Sequence, residues 1–168
     1  FTMSFKTTLV ATAAALMGVM ALPAHADTAT TSFNVKITIT KGCSLASTAP
    51  ADINLGSYAS SADYNTVQGN TTISVTCSKT TPYTVALTPT NVASTTGAGV
   101  MKSAASTNTD TVSYQLTKSA TKTDIWGNSG SNLYSGNGTG AAQILTAYAN
   151  PTSTLNVTPD TYTDKVTV

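Results

Sequence analysis

Residues 33–41, Phe-Asn-Val-Lys-Ile-Thr-Ile-Thr-Lys, place an apolar side chain at every second position, with no glycine or proline to interrupt them. This is the period of a β-strand, with Phe33, Val35, Ile37 and Ile39 on one face and Asn34, Lys36, Thr38 and Thr40 on the other. Burying the four apolar side chains is worth about 6–12 kcal/mol gross, at about 1.5–3 kcal/mol each. That is comparable to the net stability of a whole domain, so whatever covers this face matters to the chain.

The strand lies just downstream of a targeting signal. Lys6 precedes an apolar run over residues 9–22, and Pro23-Ala24-His25-Ala26 supplies the small-x-small ending that a signal peptidase reads. Residues 1–26 are therefore expected to be a removed secretory leader, with Phe1 and Thr2 upstream of its Met3 and cleavage between Ala26 and Asp27. The run is short and lacks a basic stop-transfer flank, so no membrane span is expected in the mature chain. Residues 27–42 then form a free N-terminal strand segment, and residues 43–168 suit one domain with a single core.

Composition narrows the fold. Charged residues are only 9 % of the chain and comprise Lys and Asp alone, with neither Glu nor Arg. Missing Glu and Arg removes two strong surface helix formers and the side chain best suited to phosphate, which argues against helical bundles and nucleic-acid readers. Abundant Thr and Ser favour strands and turns, so the class is all-β. With Lys6 gone, the remaining Lys and Asp balance, and no net field steers a charged partner.

Cys43 and Cys77 both fall in the exported part. In an oxidising compartment such a pair is expected to form a disulfide, worth about 3–4 kcal/mol in the chain-entropy model. A metal or redox site is a poor alternative, because there is no Cys-x-x-Cys spacing and the one histidine, His25, lies in the leader. The Asp residues are scattered singly, and Gly136-Asn137-Gly138-Thr139-Gly140 lacks the Lys-Ser/Thr of a phosphate loop and reads as a hairpin turn. No enzyme, metal or cofactor is expected.

Along the domain, residues 44–52 are turn-rich and residues 53–58 return to alternation. Residues 71–78 read as a strand with Ile73, Val75 and Cys77 inward, followed by a strand through Tyr83, Val85 and Leu87. Residues 88–110 have no period and read as loop with room for an edge strand. Val112, Tyr114 and Leu116 mark the next strand, and Trp126 reads as a core plug. Short strands are expected at 144–148 and 154–157, and residues 161–168 alternate through Tyr162, Val166 and Val168, with no strand to follow.

These pieces occur in a telling order: the leader, the alternating strand running into Gly42-Cys43, Ile53-Asn54-Leu55-Gly56-Ser57-Tyr58, Ile73-Ser74-Val75-Thr76-Cys77 and Pro82-Tyr83-Thr84-Val85-Ala86-Leu87. Val112-Ser113-Tyr114-Gln115-Leu116, Ile125-Trp126-Gly127 and Asp160-Thr161-Tyr162-Thr163-Asp164-Lys165-Val166-Thr167-Val168 complete the set. Together they resemble the spore coat protein U family, which includes the subunits of archaic chaperone-usher pili in Gram-negative bacteria.

The resemblance implies an incomplete immunoglobulin-like β-sandwich, completed by an N-terminal donor strand from the next subunit. Phe33, Val35, Ile37 and Ile39 would be the donor side chains. It also implies neighbouring pilin subunits, a periplasmic chaperone and an outer-membrane usher as partners, and a cell-surface fimbrium that supports adhesion and biofilm formation. The alternative is a monomeric secreted β-sandwich binding module or tip adhesin whose Phe33 strand folds back into its own sheet. Loops of Ser, Thr, Gly and Ala suit a repeating shaft better than a sticky tip.

Overall fold

The computed structural model describes residues 28–168. The leader at 1–26 and its expected cleavage between Ala26 and Asp27 lie outside the described residues. Ten strands follow in order: β1 Cys43–Leu45, β2 Gly69–Cys77, β3 Pro82–Val85, β4 Thr88–Pro89, β5 Ala98–Ser103, β6 Thr111–Thr117, β7 Tyr134–Asn137, β8 Ala142–Pro151, β9 Tyr162–Thr163 and β10 Val166–Thr167. The only helical pieces among the described residues are two 3₁₀ turns, Tyr64–Thr66 and Gly130–Asn132. No helix among the described residues is long and apolar enough to cross a membrane.

One sheet has six strands in the order β1-β2-β8-β6-β5-β9, and two antiparallel pairs, β3 with β7 and β4 with β10, form the opposing layer. The body that carries them spans Ile39–Val168. Its core follows from the period-2 pattern. β2 turns Ile73, Val75 and Cys77 inward, β8 turns Leu145, Ala147 and Ala149 inward, and β6 contributes Tyr114 and Leu116. Val85 and Leu87 meet them from the other layer. This is an all-β, immunoglobulin-like sandwich.

Trp126 fills the centre and is fully buried. Its indole N–H donates to the Val85 carbonyl at 2.9 Å, and its main-chain N–H donates to the Leu116 carbonyl at 2.9 Å. Gly97 makes room for it: φ is +79°, and a Cβ there would overlap the Trp126 carbonyl. At the far end of the six-stranded sheet, Asp164 ties the last segment down. It accepts from the Tyr114 hydroxyl at 2.8 Å and from the Asn91 main-chain N–H at 3.0 Å, while the Asn91 amide donates to the Val100 and Thr163 carbonyls at 3.0 Å each.

Several elements differ from the sequence reading. Residues 33–41 alternate like a strand but carry no strand assignment, since a strand exists only where a partner takes its main-chain groups. Residues 53–58 also pair with no strand; Ile53 and Leu55 instead lie half-buried against Gly69. The stretch 88–110 holds β4 and the six-residue β5, which pairs with both β6 and β9. The strand expected at 144–148 runs from Ala142 to Pro151, with Ile144 on the outer face. Residues 154–157 form a tight turn, with Val157 N–H donating to Leu155 O at 2.8 Å, and no strand. The single alternating run at 161–168 is divided between two sheets, as β9 and β10.

Candidate functional site: an apolar arm and an apolar cleft

The four residues singled out as a donor face are the most exposed large apolar side chains of the described chain. Phe33 is 87 %, Val35 90 %, Ile37 82 % and Ile39 78 % exposed. Alternation makes them one stripe. Leaving four such side chains in water forgoes several kcal/mol of transfer free energy.

The root of this arm is fixed. Gly42 N–H donates to the Ser78 hydroxyl at 3.1 Å, and Ser78 N–H donates to the Gly42 carbonyl at 2.9 Å. One residue on, Cys43 stands directly opposite Cys77 across the β1–β2 ladder, and the two are joined by a disulfide with Cα atoms 4.1 Å apart. Cys77 belongs to the core whereas Cys43 is exposed.

Beside that root lies a cleft of about 200 Å³ between the two layers. Cys43 and Leu45 of β1, Val75 and Cys77 of β2, Tyr83 and Val85 of β3, and Val168 line it. Leu45 and Val168 remain 48 % and 40 % exposed at its walls. β1 is the edge strand of the six-stranded sheet, so among the described residues one side of its main chain is unpaired. Tyr83 rests across Gly136, where a Cβ would come within 2.7 Å of the ring. Burial, with the neighbouring Tyr134, raises the Tyr83 phenol above its ordinary range.

The sequence reading missed the cleft wall. β1 runs into the turn-rich stretch at 44–52, and Leu45 is one isolated apolar residue two positions after Cys43. That i, i+2 spacing, shared with Val75 and Cys77 across the ladder, was the available signal. Among the described residues no group of three or more His, Cys, Asp or Glu could hold a metal ion.

Chemically, the arrangement offers an apolar stripe, an apolar cleft and an unpaired strand edge. The fold is that of an immunoglobulin-like β-sandwich domain. Within that class the chain belongs to the Spore Coat Protein U domain family, whose model matches residues 29–168. No curated protein matches the chain. Among solved structures it is similar to a chain in the crystal structure of the CsuC–CsuE chaperone–tip adhesion subunit pre-assembly complex from archaic chaperone-usher Csu pili of Acinetobacter baumannii. The identity is 20 %, the TM-score 0.51, and the match covers 77 % of this chain. This chain spans only 39 % of the length of that one, and the likeness speaks to the fold.

Proposed function

We propose that the protein is a structural subunit of an archaic chaperone-usher surface pilus that polymerises by donor-strand complementation. Residues 27–42 act as the donor arm and residues 43–168 as the receiving domain. The single observation that carries this reading is the stripe of Phe33, Val35, Ile37 and Ile39, each more than three-quarters exposed, in a chain that also has an apolar cleft at a free strand edge. An extended segment laid in that cleft gains main-chain hydrogen bonds along the edge and burial of alternate side chains. Repetition head to tail is a heterologous contact that builds an open fibre.

Membership of the Spore Coat Protein U domain family and likeness to a subunit complex of Csu pili support the same reading. On this reading the leader sends the chain to the periplasm, where a chaperone covers the cleft until an outer-membrane usher delivers the subunit to the fibre. The assembled fimbrium then serves adhesion and biofilm formation. Loops of Ser, Thr, Gly and Ala favour the shaft subunit over a monomeric module or tip adhesin that folds this strand into its own sheet.

The test is a pair of neighbouring substitutions. Ile37→Asp puts a carboxylate in the middle of the stripe, where burial of an unpaired charge costs several kcal/mol. Thr38→Asp points to the opposite face. Electron microscopy should show fibres from the wild type and Thr38→Asp and none from Ile37→Asp, with thermal unfolding of the subunit unchanged. Normal fibres from Ile37→Asp, or unfolding of its monomer, would overturn the proposal.

A further inference from the structure

The disulfide lies at an unusual crossroads. Gly42 is the last residue of the arm, Cys43 is the next residue in the chain, and Cys43 and Cys77 are also walls of the cleft. We infer that the Cys43–Cys77 bond is a mechanical anchor: it carries tension from a subunit's own arm into β2, the long strand next to the edge, beside the cleft that holds the neighbour's arm. This rests on the donor-strand reading for its role in a fibre, although the anchoring itself is a property of one subunit.

The strand pairing supplies the argument. β1 is three residues long and holds to β2 through three residue pairs, Cys43 with Cys77, Ser44 with Thr76 and Leu45 with Val75. Behind it, residues 46–68 contain no strand. A pull on Gly42 without the disulfide would therefore meet a ladder of only three residue pairs and then a segment with no ladder of its own. With the disulfide, the same pull enters at Cys77. There β2 is paired to β8 over eight residue pairs, from Gly69 with Ala149 to Thr76 with Ala142.

The geometry also shortens the path across each subunit. Val75 and Cys77 form the inner wall of the cleft, and both lie on the strand to which the arm is bolted. Tension from an inserted arm would reach the outgoing arm through β1, β2 and one covalent bond, leaving the ladders around β6 and β5 unloaded.

The experiment is single-molecule pulling on the mature full-length subunit, with handles at its two ends, with and without a thiol reductant, followed by the same measurement on assembled fibres. Reduced subunits should show an early lengthening of about 60–70 Å, the extended length of the chain between Cys43 and Gly69 at about 3.3–3.6 Å per residue less the roughly 26 Å that already separates them along β2. It should precede the main unfolding event and be absent from the oxidised protein. Reduced fibres should lengthen by the same step for each subunit. The double variant Cys43→Ser, Cys77→Ser, pulled without reductant, should reproduce the step. Identical traces for oxidised and reduced subunits, or the early step in both, would overturn the anchor. The single-subunit traces decide this even if no fibre forms, whereas failure to form fibres counts against the donor-strand reading.

Discussion

The indole N–H of Trp126 donates to the Val85 carbonyl in one layer, at 2.9 Å, while the same residue's main-chain N–H is bonded to Leu116 in the other. One side chain thus fills the core and fastens both layers. Trp126→Phe keeps most of the ring area but removes the donor and leaves the buried carbonyl without it. A cost of about 2–3 kcal/mol is expected, from the smaller volume and the lost bond. Calorimetry should register this as a fall in Tm of roughly 5–10 °C. Trp126→Ala should cost about 3–5 kcal/mol.

The Tyr114–Asp164 bond gives the protein an alkaline limit. Burial, then the Asp164 hydrogen bond and charge, push the Tyr114 phenol far above its ordinary value of 10.0. A group whose folded pKa is raised contributes stability that is complete below the unfolded value and is lost as pH rises toward the folded one. Stability should therefore decline above about pH 10, as the unfolded state alone releases the proton. Urea unfolding midpoints measured at pH 8 and pH 11 should show a smaller decline in Tyr114→Phe than in the wild type. At pH 8 that variant should be less stable by about 1–3 kcal/mol for the lost charge-assisted bond.

Gly99 pairs with Tyr114 across β5 and β6, and a Cβ at Gly99 would overlap the tyrosine ring. Gly99→Val raises local strand propensity yet should destabilise the protein by about 1–3 kcal/mol, because the ring has no other place in a packed core. Chemical denaturation would show it, and Gly99→Val combined with Tyr114→Ala should recover part of the loss.

That same contact explains what could and could not be read from the sequence. β2 and β6 were legible because their inward positions are filled by their own large apolar residues, Ile73, Val75, Val112, Tyr114 and Leu116. β5 and β7 were not. Their inward positions include Gly99 and Gly136, and the volume there is supplied by Tyr114 and Tyr83 reaching over from the neighbouring strand. In β8 the inward Ala147 and Ala149 give little signal for the same reason, since a large neighbour is accommodated by a small residue. The arm showed the opposite limit. Its period was the strongest in the chain, but a period specifies which face wants cover and says nothing of which molecule provides it. The cleft was illegible because it is assembled from β1, β2 and β3, each contributing one or two ordinary apolar residues.

The two halves of the proposed junction can be separated by mixing variants. Leu45 lines the cleft yet is 48 % exposed, so Leu45→Asp should leave the subunit folded, with a change in stability under about 1 kcal/mol. It should nevertheless block the cleft, because an arriving apolar arm would bury the new carboxylate without a partner. Ile37→Asp has the complementary defect: its arm cannot be received, but its cleft is intact. Each variant alone should remain monomeric. Mixed together, the intact arm of the Leu45→Asp subunit fits the intact cleft of the Ile37→Asp subunit. The product then offers only a damaged cleft at one end and a damaged arm at the other, so growth stops at a heterodimer. Size-exclusion chromatography with light scattering should find dimers in the mixture and none in either sample alone. Fibres from the mixture, or dimers of Leu45→Asp by itself, would show that the cleft at Leu45 does not receive the arm.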